Sequence, residues 1–307
     1  MGAGNILKKP WRAWSAPKDA RASAPPVGPG CLDDVVATEA GAATRWRAML
    51  DAWALPPEIL EQATESPFIH PPMLFQVPEV IEDSPSHQRA REVLEAGASV
   101  LDVGCGGGVA AFALTPPATS VIGVDHQSEM LAMFAQNAAA RGVECQTVEG
   151  FWPAVAPLVG VADVVTCHHV AYNVADIVPF LRALNDHART RVVLELPDRH
   201  PLTSLSSAWE HFWGLERPIG PTPLDLMDVL AEMGVDATRE QWHAPARAAA
   251  DIAQNAHFTR IRLCLAPERE AEVRDFLLAQ GPATRRDLST IWWNVSIDAQ
   301  ARTLNLH

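Results

Sequence analysis

The sequence predicts an α/β protein with a doubly wound, mostly parallel sheet of seven strands and helices on both faces. Short apolar runs alternate with amphipathic segments over residues 85–242. A glycine loop follows the first of these runs directly, and an acidic residue, Asp125, closes the second. Because ligands of open α/β sheets lie beyond the carboxyl ends of the strands, these observations predict a ligand site at that edge.

The composition is that of a globular chain. Of the 307 residues, 48% are hydrophobic and 20% are charged. No apolar run approaches membrane-spanning length, and the start lacks the hydrophobic region of a signal peptide. The five cysteines are odd in number and form no Cys-x-x-Cys pair, which favours reduced thiols in a cytoplasm over disulfides or a zinc site.

The charge distribution disfavours nucleic acid as a partner. The formal net charge is −13, and residues 1–30 carry five basic residues against one acidic residue, a net +4. The rest of the chain, by difference, carries about −17 and lacks the basic footprint of a nucleic-acid binder. Residues 1–30 are rich in Ala, Pro, Lys and Gly, which predicts a disordered basic tail.

Helical patterns precede the first strand. From about Ala42, apolar residues recur at helical spacing, and Pro56 ends that helix. These residues are Trp46, Met49, Leu50 and Trp53. Residues 66–75 contain three prolines and cannot form a regular element. A further helix is predicted from Pro85 to Ala96.

The glycine loop begins where the first strand, residues 100–103, ends. Its glycines alternate at 104, 106 and 108, and Val109 stands where a dinucleotide fingerprint requires a further glycine. The Lys followed by Ser or Thr of a phosphate-binding P-loop is also absent. The apolar segment through Leu114 is expected to begin a helix, whose first N–H groups have no partner within the helix.

The second strand, residues 121–124, ends in Asp125, 21 residues after Gly104. A carboxylate at this tip offers two acceptor oxygens and is placed to bind both hydroxyls of a ribose. An N-cap role is the alternative reading, although Ser128 is available for it.

The pattern Asp102-x-Gly104-x-Gly106-x-Gly108, followed by Asp125, resembles motif I of the class I S-adenosylmethionine-dependent methyltransferases. The resemblance spans roughly residues 85–235 and implies a Rossmann-like fold with S-adenosylmethionine as cofactor. It implies a cap over the ligand pocket at residues 31–84, although simple packing is equally open for the helical part. The implied cofactor contacts in these two motifs are Asp102, Gly104, Cys105, Gly106, Gly108, Asp125 and His126.

The end of the third strand, residues 143–148, departs from the family pattern. Many relatives place an Asp after a glycine here to accept from the adenine amino group, whereas this chain has Glu149-Gly150-Phe151-Trp152. We expect Phe151 or Trp152 to stack on the adenine. Glu149 or the backbone, including Gly150, would then supply the polar contact.

The fourth strand, residues 162–167, runs into the candidate bases His168 and His169. Imidazole titrates near neutral pH, and a base is needed only where the methyl acceptor carries a proton that must leave. Adjacent residues at a strand end face opposite sides, so one histidine is expected to be structural. His168 is also a candidate cofactor contact. Tyr172, the one tyrosine in the chain, is expected to line the same pocket or to pack in the core.

Three other interpretations compete for this region. His168, His169, His200 and His211 lack the spacing of a zinc or iron site, so no metal is expected. Cys167 lacks the Pro-Cys context of enzymes that methylate carbon 5 of a pyrimidine, which favours a buried strand cysteine. The last interpretation is an aromatic acceptor pocket, formed by Trp209, Trp213, Trp292 and Trp293.

The remaining elements follow in order. After Asp125, a helix ended by Gly142 is predicted, with Met130, Leu131, Phe134 and Ala138 on one face. A fifth strand is predicted at 191–196, a loop or partly helical insert at 198–221, a helix at 223–233, a sixth strand at 235–242, a helical insert at 247–281 and a seventh strand at 288–297. The expected methyltransferase domain therefore covers residues 85–307.

The resemblance and the charge together predict a methyltransferase acting on oxygen or nitrogen of a small, partly apolar acceptor in the cytoplasm. The alternative enzymatic function is methylation of RNA or protein, with the basic tail as a tether. A non-catalytic S-adenosylmethionine-binding regulatory module is the alternative outside catalysis.

Overall fold

The computed structural model describes residues 40–68, 75–246, 251–281 and 285–295. Its strands form one seven-stranded sheet in the order β3-β2-β1-β4-β5-β7-β6. The strands are β1 Ser99–Val103, β2 Ser120–Asp125, β3 Glu144–Glu149, β4 Ala162–His168, β5 Ala188–Pro197, β6 Thr238–Pro245 and β7 Arg285–Asn294. The tail predicted at residues 1–30 lies outside the described residues.

The described helices lie between the strands and before the first of them. They are α1 Ala42–Asp51, α2 Pro57–Leu60, α3 Pro85–Arg91, α4 Val109–Phe112, α5 Ser128–Arg141, α6 Ile177–Asp186, α7 Ser206–Trp213, α8 Pro223–Glu232, α9 Ile252–Arg262 and α10 Glu270–Gln280. Among the residues described, no helix is both long and apolar enough to cross a membrane.

The predicted sheet is confirmed. Strands β1 to β5 pair in parallel, and β7 runs antiparallel to both of its neighbours, β5 and β6. The last strand in the chain therefore occupies an interior position of the sheet. It begins at Arg285, earlier than predicted, and Ile297 lies outside the described residues.

Helices with strong end signals match their predicted bounds. The side chains of Thr222 and Asp225 form a reciprocal capping box at the start of α8. Gly142 ends α5 with a left-handed φ of 66°, the conformation that a helix C-terminus commonly requires. Both insert helices predicted within residues 247–281 are present as α9 and α10.

Two predicted bounds were wrong. Helix α3 stops at Arg91 rather than Ala96, and turns follow it: the N–H of Leu94 donates to the Arg91 carbonyl (3.1 Å) and the N–H of Gly97 to the Pro117 carbonyl (3.0 Å). Helix α4, expected to begin within the apolar segment through Leu114, spans Val109–Phe112. Strand β6 begins at Thr238, because the N–H of Val235 closes the end of α8 at the Leu230 carbonyl (2.9 Å).

The two faces of the sheet carry separate apolar cores. Alternate residues of β1, β4 and β5 point to opposite faces. One face packs with α1, α6 and α8, and Trp46 of α1 donates its indole N–H to the Val174 carbonyl (2.8 Å). The other face packs with α3, α4 and α5. Helix α1 is therefore part of the main core, not a detached lid.

A third apolar cluster joins the inserts to the N-terminal segment. It contains Ile59 of α2, Trp209 of α7 and Val273 of α10, together with residues that follow α9. The two inserts and part of the predicted cap therefore pack as one unit.

Candidate active site

Asp102 lies on β1 beneath the glycine loop and is almost fully buried. The Thr166 hydroxyl of β4 donates to its Oδ1 at 3.0 Å. Burial raises the pKa of Asp102 to about 7, while Thr166 and the backbone N–H of Ala111 act in the opposite direction. Asp102 therefore changes charge near neutral pH, unlike an ordinary carboxyl group.

The glycine loop lies against two other chain segments. Gly104 has a left-handed φ of 72°, and a Cβ there would lie 2.4 Å from Val170, just beyond β4. At Gly107 a Cβ would lie 2.1 Å from the backbone carbonyl oxygen of Phe75. Two other segments of the chain, at Val170 and at Phe75, therefore pack closely against glycines of the loop.

Asp125 connects β2 to this loop. Its Oδ2 accepts the N–H of Gly106, and its Oδ1 accepts the N–H of Gln127, each at 3.0 Å. Each carboxylate oxygen has two lone pairs, so each can accept one further hydrogen bond. The residue between them in sequence, His126, lies with its Nδ1 3.4 Å from Oδ1 of Asp125.

Aromatic rings meet beside Asp125. The register of β2 and β3 pairs Asp125 with Glu149, and His126 stacks on Phe151 with centroids 4.9 Å apart. Phe151 is 39% exposed, Glu149 is exposed, and the N–H of Gly150 donates to the Asp125 carbonyl at 2.9 Å. Phe151 is therefore partly exposed beside Asp125, with His126 stacked on its ring.

Trp152 has a different position from the one expected. It is completely buried, its indole N–H donates to the Phe180 carbonyl (3.3 Å), and its ring packs edge-on against His187. Since no face of the ring is exposed, Trp152 cannot stack on an adenine as expected, and it is a core residue.

A polar row crosses the carboxyl edge of the sheet. The registers pair His168 of β4 with Glu195 of β5, and Glu195 with Thr290 of β7, so all three lie on one face. Ser86 and His87 of α3 cover this row. The hydroxyls of Ser86 and Thr290 lie 2.6 Å apart, and either can donate to the other.

His169 is held at two points by Glu195. Its N–H donates to the Glu195 carbonyl at 2.7 Å, and its Nε2 lies 3.1 Å from Oε1 of the Glu195 carboxylate. The backbone of His169 has φ of 62°, an unusual left-handed conformation for a residue with a side chain. Such strain clusters at functional sites. The imidazole is 34% exposed, so it can reach a ligand.

His168 and Glu195 have opposite charge preferences. Burial lowers the pKa of His168 to about 4, and its ring stacks on His87 with centroids 5.9 Å apart. Burial opposes ionisation of Glu195, but His168, His169 and Ser86 together hold its pKa well below the usual range. At neutral pH the site therefore contains an ionised Glu195 and a neutral His168.

Tyr172 packs in the core and does not face a ligand. Its hydroxyl donates to the Pro197 carbonyl at 2.7 Å, and its ring lies parallel to Trp46 with centroids 5.9 Å apart. Burial raises the pKa of Tyr172 well above its ordinary value. Because its hydroxyl proton is donated to the backbone, Tyr172 is a core residue and is not the catalytic or pocket-lining side chain that the sequence suggested.

The competing interpretations find little support among the described residues. No group of three His, Cys, Asp or Glu there could hold a metal ion. Cys167 is buried, and burial raises its thiol pKa well above the ordinary value, which disfavours a nucleophile. Trp292 and Trp293 are neighbours on one strand and point to opposite faces, so the four tryptophans do not share a pocket.

Two features of the site were not assigned from sequence. Glu195 lies at the carboxyl end of the predicted fifth strand, but no role was assigned to it, although a charged residue within the apolar run Val192 to Leu196 was a usable signal. Ser86 and His87 belong to the row through tertiary packing, and no local pattern indicates it.

Similarity to known proteins covers the nucleotide-binding half of the sheet. Residues 100–190 match the family model described as a methyltransferase domain. The chain is 37% identical over 89 residues to ribosomal protein L11 methyltransferase of Vibrio cholerae, covering 29% of this chain and 30% of that protein. It is 39% identical over 84 residues to ubiquinone biosynthesis O-methyltransferase of Cronobacter sakazakii, covering 26% and 33%. The chain thus matches about a third of the length of these curated relatives.

Similar solved structures include TehB from Haemophilus influenzae, with a TM-score of 0.47, 10% identity and coverage of 71% of this chain and 64% of that one. Another is magnesium protoporphyrin IX methyltransferase from Synechocystis, with a TM-score of 0.42, 20% identity and coverage of 64% and 74%.

Proposed function

We propose that this chain, whose residues 100–190 match the model of a methyltransferase domain, is a class I S-adenosylmethionine-dependent methyltransferase that methylates an oxygen or nitrogen of a small, partly apolar acceptor. One observation carries the catalytic part of the proposal: Glu195 contacts both the backbone N–H and the imidazole of the half-buried His169, whose backbone has a left-handed conformation.

The residues around the glycine loop fit S-adenosylmethionine. Between Gly104 and Gly108 the loop carries one side chain, that of Cys105, and its thiol is buried. Asp125 keeps a free lone pair on each oxygen for ribose hydroxyls, and Phe151, which is 39% exposed beside it, would contact the adenine. Asp102 would face the cationic methionine portion. The cofactor supplies an electrophilic methyl group on a sulfonium, which an acceptor lone pair can displace directly.

His169 is the proposed general base. With Nε2 bonded to the ionised Glu195, the imidazole carries its proton on that nitrogen. Nδ1 is then the atom that accepts a proton from the acceptor hydroxyl or amine, and Glu195 stabilises the imidazolium that results. His168 is less suited to this role, because its low pKa makes it a weak base at neutral pH.

The acceptor preference rests on charge and packing. An acidic body repels polyanions, and the inserts pack with the N-terminal segment in a cluster of apolar and aromatic residues. The four described cysteines are unpaired, in keeping with action in a reducing compartment, the cytoplasm.

Protein methylation is a second candidate, and it is favoured by one observation: the relative named ribosomal protein L11 methyltransferase. The methyl acceptor would then be a protein side chain instead of a small molecule.

A transfer assay with labelled methyl donor tests the proposal. The donor is offered with a panel of small hydroxylated and amino metabolites, with ribosomal protein L11 and with total RNA. Label in small molecules supports the proposal, and label confined to protein or RNA overturns the acceptor class. Binding of S-adenosylmethionine without transfer to any of them favours the regulatory module.

A further inference from the structure

Three arginine side chains are buried among the described residues, and they differ in their partners. Arg191 lies 2.7 Å from a Glu92 carboxylate oxygen. Arg260 pairs with Glu65 and Glu270 at 2.6 and 3.1 Å. Arg217, which is 8% exposed, has no carboxylate within ion-pair distance in the described part of the chain. A buried charge is normally paired, so Arg217 is the exception that requires an explanation.

The groups that do contact Arg217 are neutral. Its guanidinium lies over the rings of Trp53 and Trp209, 5.2 and 5.5 Å from the ring centroids. Two of its nitrogens donate to backbone carbonyls just beyond α1, those of Trp53 and Ala54. Cation–π contacts and carbonyl dipoles orient the side chain but supply no full negative charge.

The N–H groups of Arg217 that make no hydrogen bond include those on the edge of the guanidinium that can bind a carboxylate. A guanidinium has five N–H groups, and two of them make the bonds to carbonyls. Nε is buried and has no acceptor among the described residues. Burial also lowers the pKa of Arg217, the direction expected for a cation without a counterion. An Nε–H with a neighbouring Nη–H forms the edge that binds a carboxylate through two parallel hydrogen bonds.

Arg217 belongs to the acceptor side of the sheet. The Trp53 ring contacts both Arg217 and His200, and the centroid of the His200 ring lies 4.2 Å away. His200 in turn packs edge-on against Tyr172 at 5.3 Å, and Tyr172 is bonded to the carbonyl that ends β5. The chain of contacts thus leads from Arg217 to the strand that carries Glu195.

We propose that Arg217 binds a carboxylate on the methyl acceptor. This inference rests on the proposed function for the existence of an acceptor. It narrows the acceptor class to carboxylates, whose charge supplies the counterion that Arg217 lacks.

Binding of matched carboxylates and amides tests the inference without requiring turnover. The probes are benzoate, trans-cinnamate and indole-3-acetate, each compared with its neutral amide, by calorimetry on the full chain saturated with S-adenosylhomocysteine. In the wild type, at least one carboxylate is expected to bind roughly 10-fold more tightly than its amide. Arg217→Gln should abolish that preference, and Arg217→Lys should retain only part of it.

Arg191→Gln is the matched control, since it removes an equal charge at the opposite end of β5 and should keep the preference. Equal binding of carboxylates and amides to the wild type, or no binding of any carboxylate, overturns the inference even if Arg217→Gln fails to fold. A preference that survives in folded Arg217→Gln also overturns it. Binding of S-adenosylmethionine alone, measured in parallel, reports separately on the proposed function.

Discussion

Glu195 and His169 are joined both through the backbone and through their side chains, at 2.7 and 3.1 Å. The backbone bond imposes the left-handed conformation of His169, and the side-chain contact fixes which ring nitrogen carries the proton. The orientation of the imidazole is therefore set by one residue on the neighbouring strand.

Removing either member of this pair should slow transfer without weakening cofactor binding. For His169→Asn and Glu195→Gln we expect kcat to fall roughly 100-fold, because the base or its orientation is lost. The dissociation constant of S-adenosylmethionine should stay within about 2-fold, since neither residue contacts the glycine loop. His211→Asn, an exposed histidine of α7, is the control. Equal losses in kcat and in cofactor affinity would indicate a structural role instead.

Asp125→Ala should weaken binding of S-adenosylmethionine by roughly 10-fold or more, because the ribose hydroxyls and the Gly106 N–H lose their acceptor. Glu144→Ala is the control, since Glu144 is an exposed carboxylate at the opposite end of β3. Titration calorimetry measures both. Unchanged affinity of Asp125→Ala would exclude the ribose assignment.

Asp102 should make the protein less stable as the pH rises towards neutrality. Its pKa is about 7 in the folded protein against an ordinary 3.8, so the folded state keeps a proton that the unfolded chain has lost. This contribution is fully present below about pH 4 and is lost as the pH rises through about 7, a change on the order of 4 kcal/mol. Urea unfolding from about pH 4 to 8 should show a smaller decline for Asp102→Asn. Parallel curves for the two proteins contradict the prediction.

His168 should act in the opposite direction. Its pKa falls from 6.5 to about 4 on folding, so the unfolded chain binds a proton first. The stability that His168 contributes is present above about pH 6.5 and is lost as the pH falls through about 4, roughly 3 kcal/mol. His168→Gln should therefore lose less stability in acid than the wild type does.

The exposed His243 provides the control as His243→Gln. Because the windows of Asp102 and His168 overlap, the wild-type curve alone cannot separate them, and the single variants are needed. A wild-type acid transition in His168→Gln would refute this assignment.

Gly107→Ala should disturb the segment at Phe75. The new Cβ would lie 2.1 Å from a backbone oxygen, so the loop or the segment must move. Gly142→Ala meets no atom within 4 Å and suffers only left-handed strain, a cost of about 1 kcal/mol. We expect the loss of unfolding free energy to be larger for Gly107→Ala, measured by urea unfolding. A smaller loss than in Gly142→Ala would show that Phe75 does not constrain the loop.

The sequence predicts most strongly where a local device fixes an element. The capping box of Thr222 and the left-handed Gly142 are such devices, and α8 and α5 match their predicted bounds. Helix α3 was predicted too long: turns follow Arg91, and the N–H of Gly97 donates to the Pro117 carbonyl of another segment. Local patterns cannot contain such a partner.

The same distinction applies to the site. Asp102 and Asp125 follow from strand ends and loop spacing, which are local. The hold of Glu195 on His169 depends on the β4–β5 register, and the missing counterion of Arg217 depends on which carboxylates the fold brings near. Trp152 follows the strand end predicted to contact the adenine, but the sequence did not reveal that its ring points into the core.

The interior position of β7 determines when the site can exist during synthesis. Until residues 285–294 have left the ribosome, β5 has an unpaired edge and β6 has no neighbour in the sheet. Thr290, which contacts Ser86 above Glu195, arrives with this last strand. A nascent chain can therefore form the glycine loop and Asp125 early, but it gains the complete polar row only after nearly all of its described residues are made.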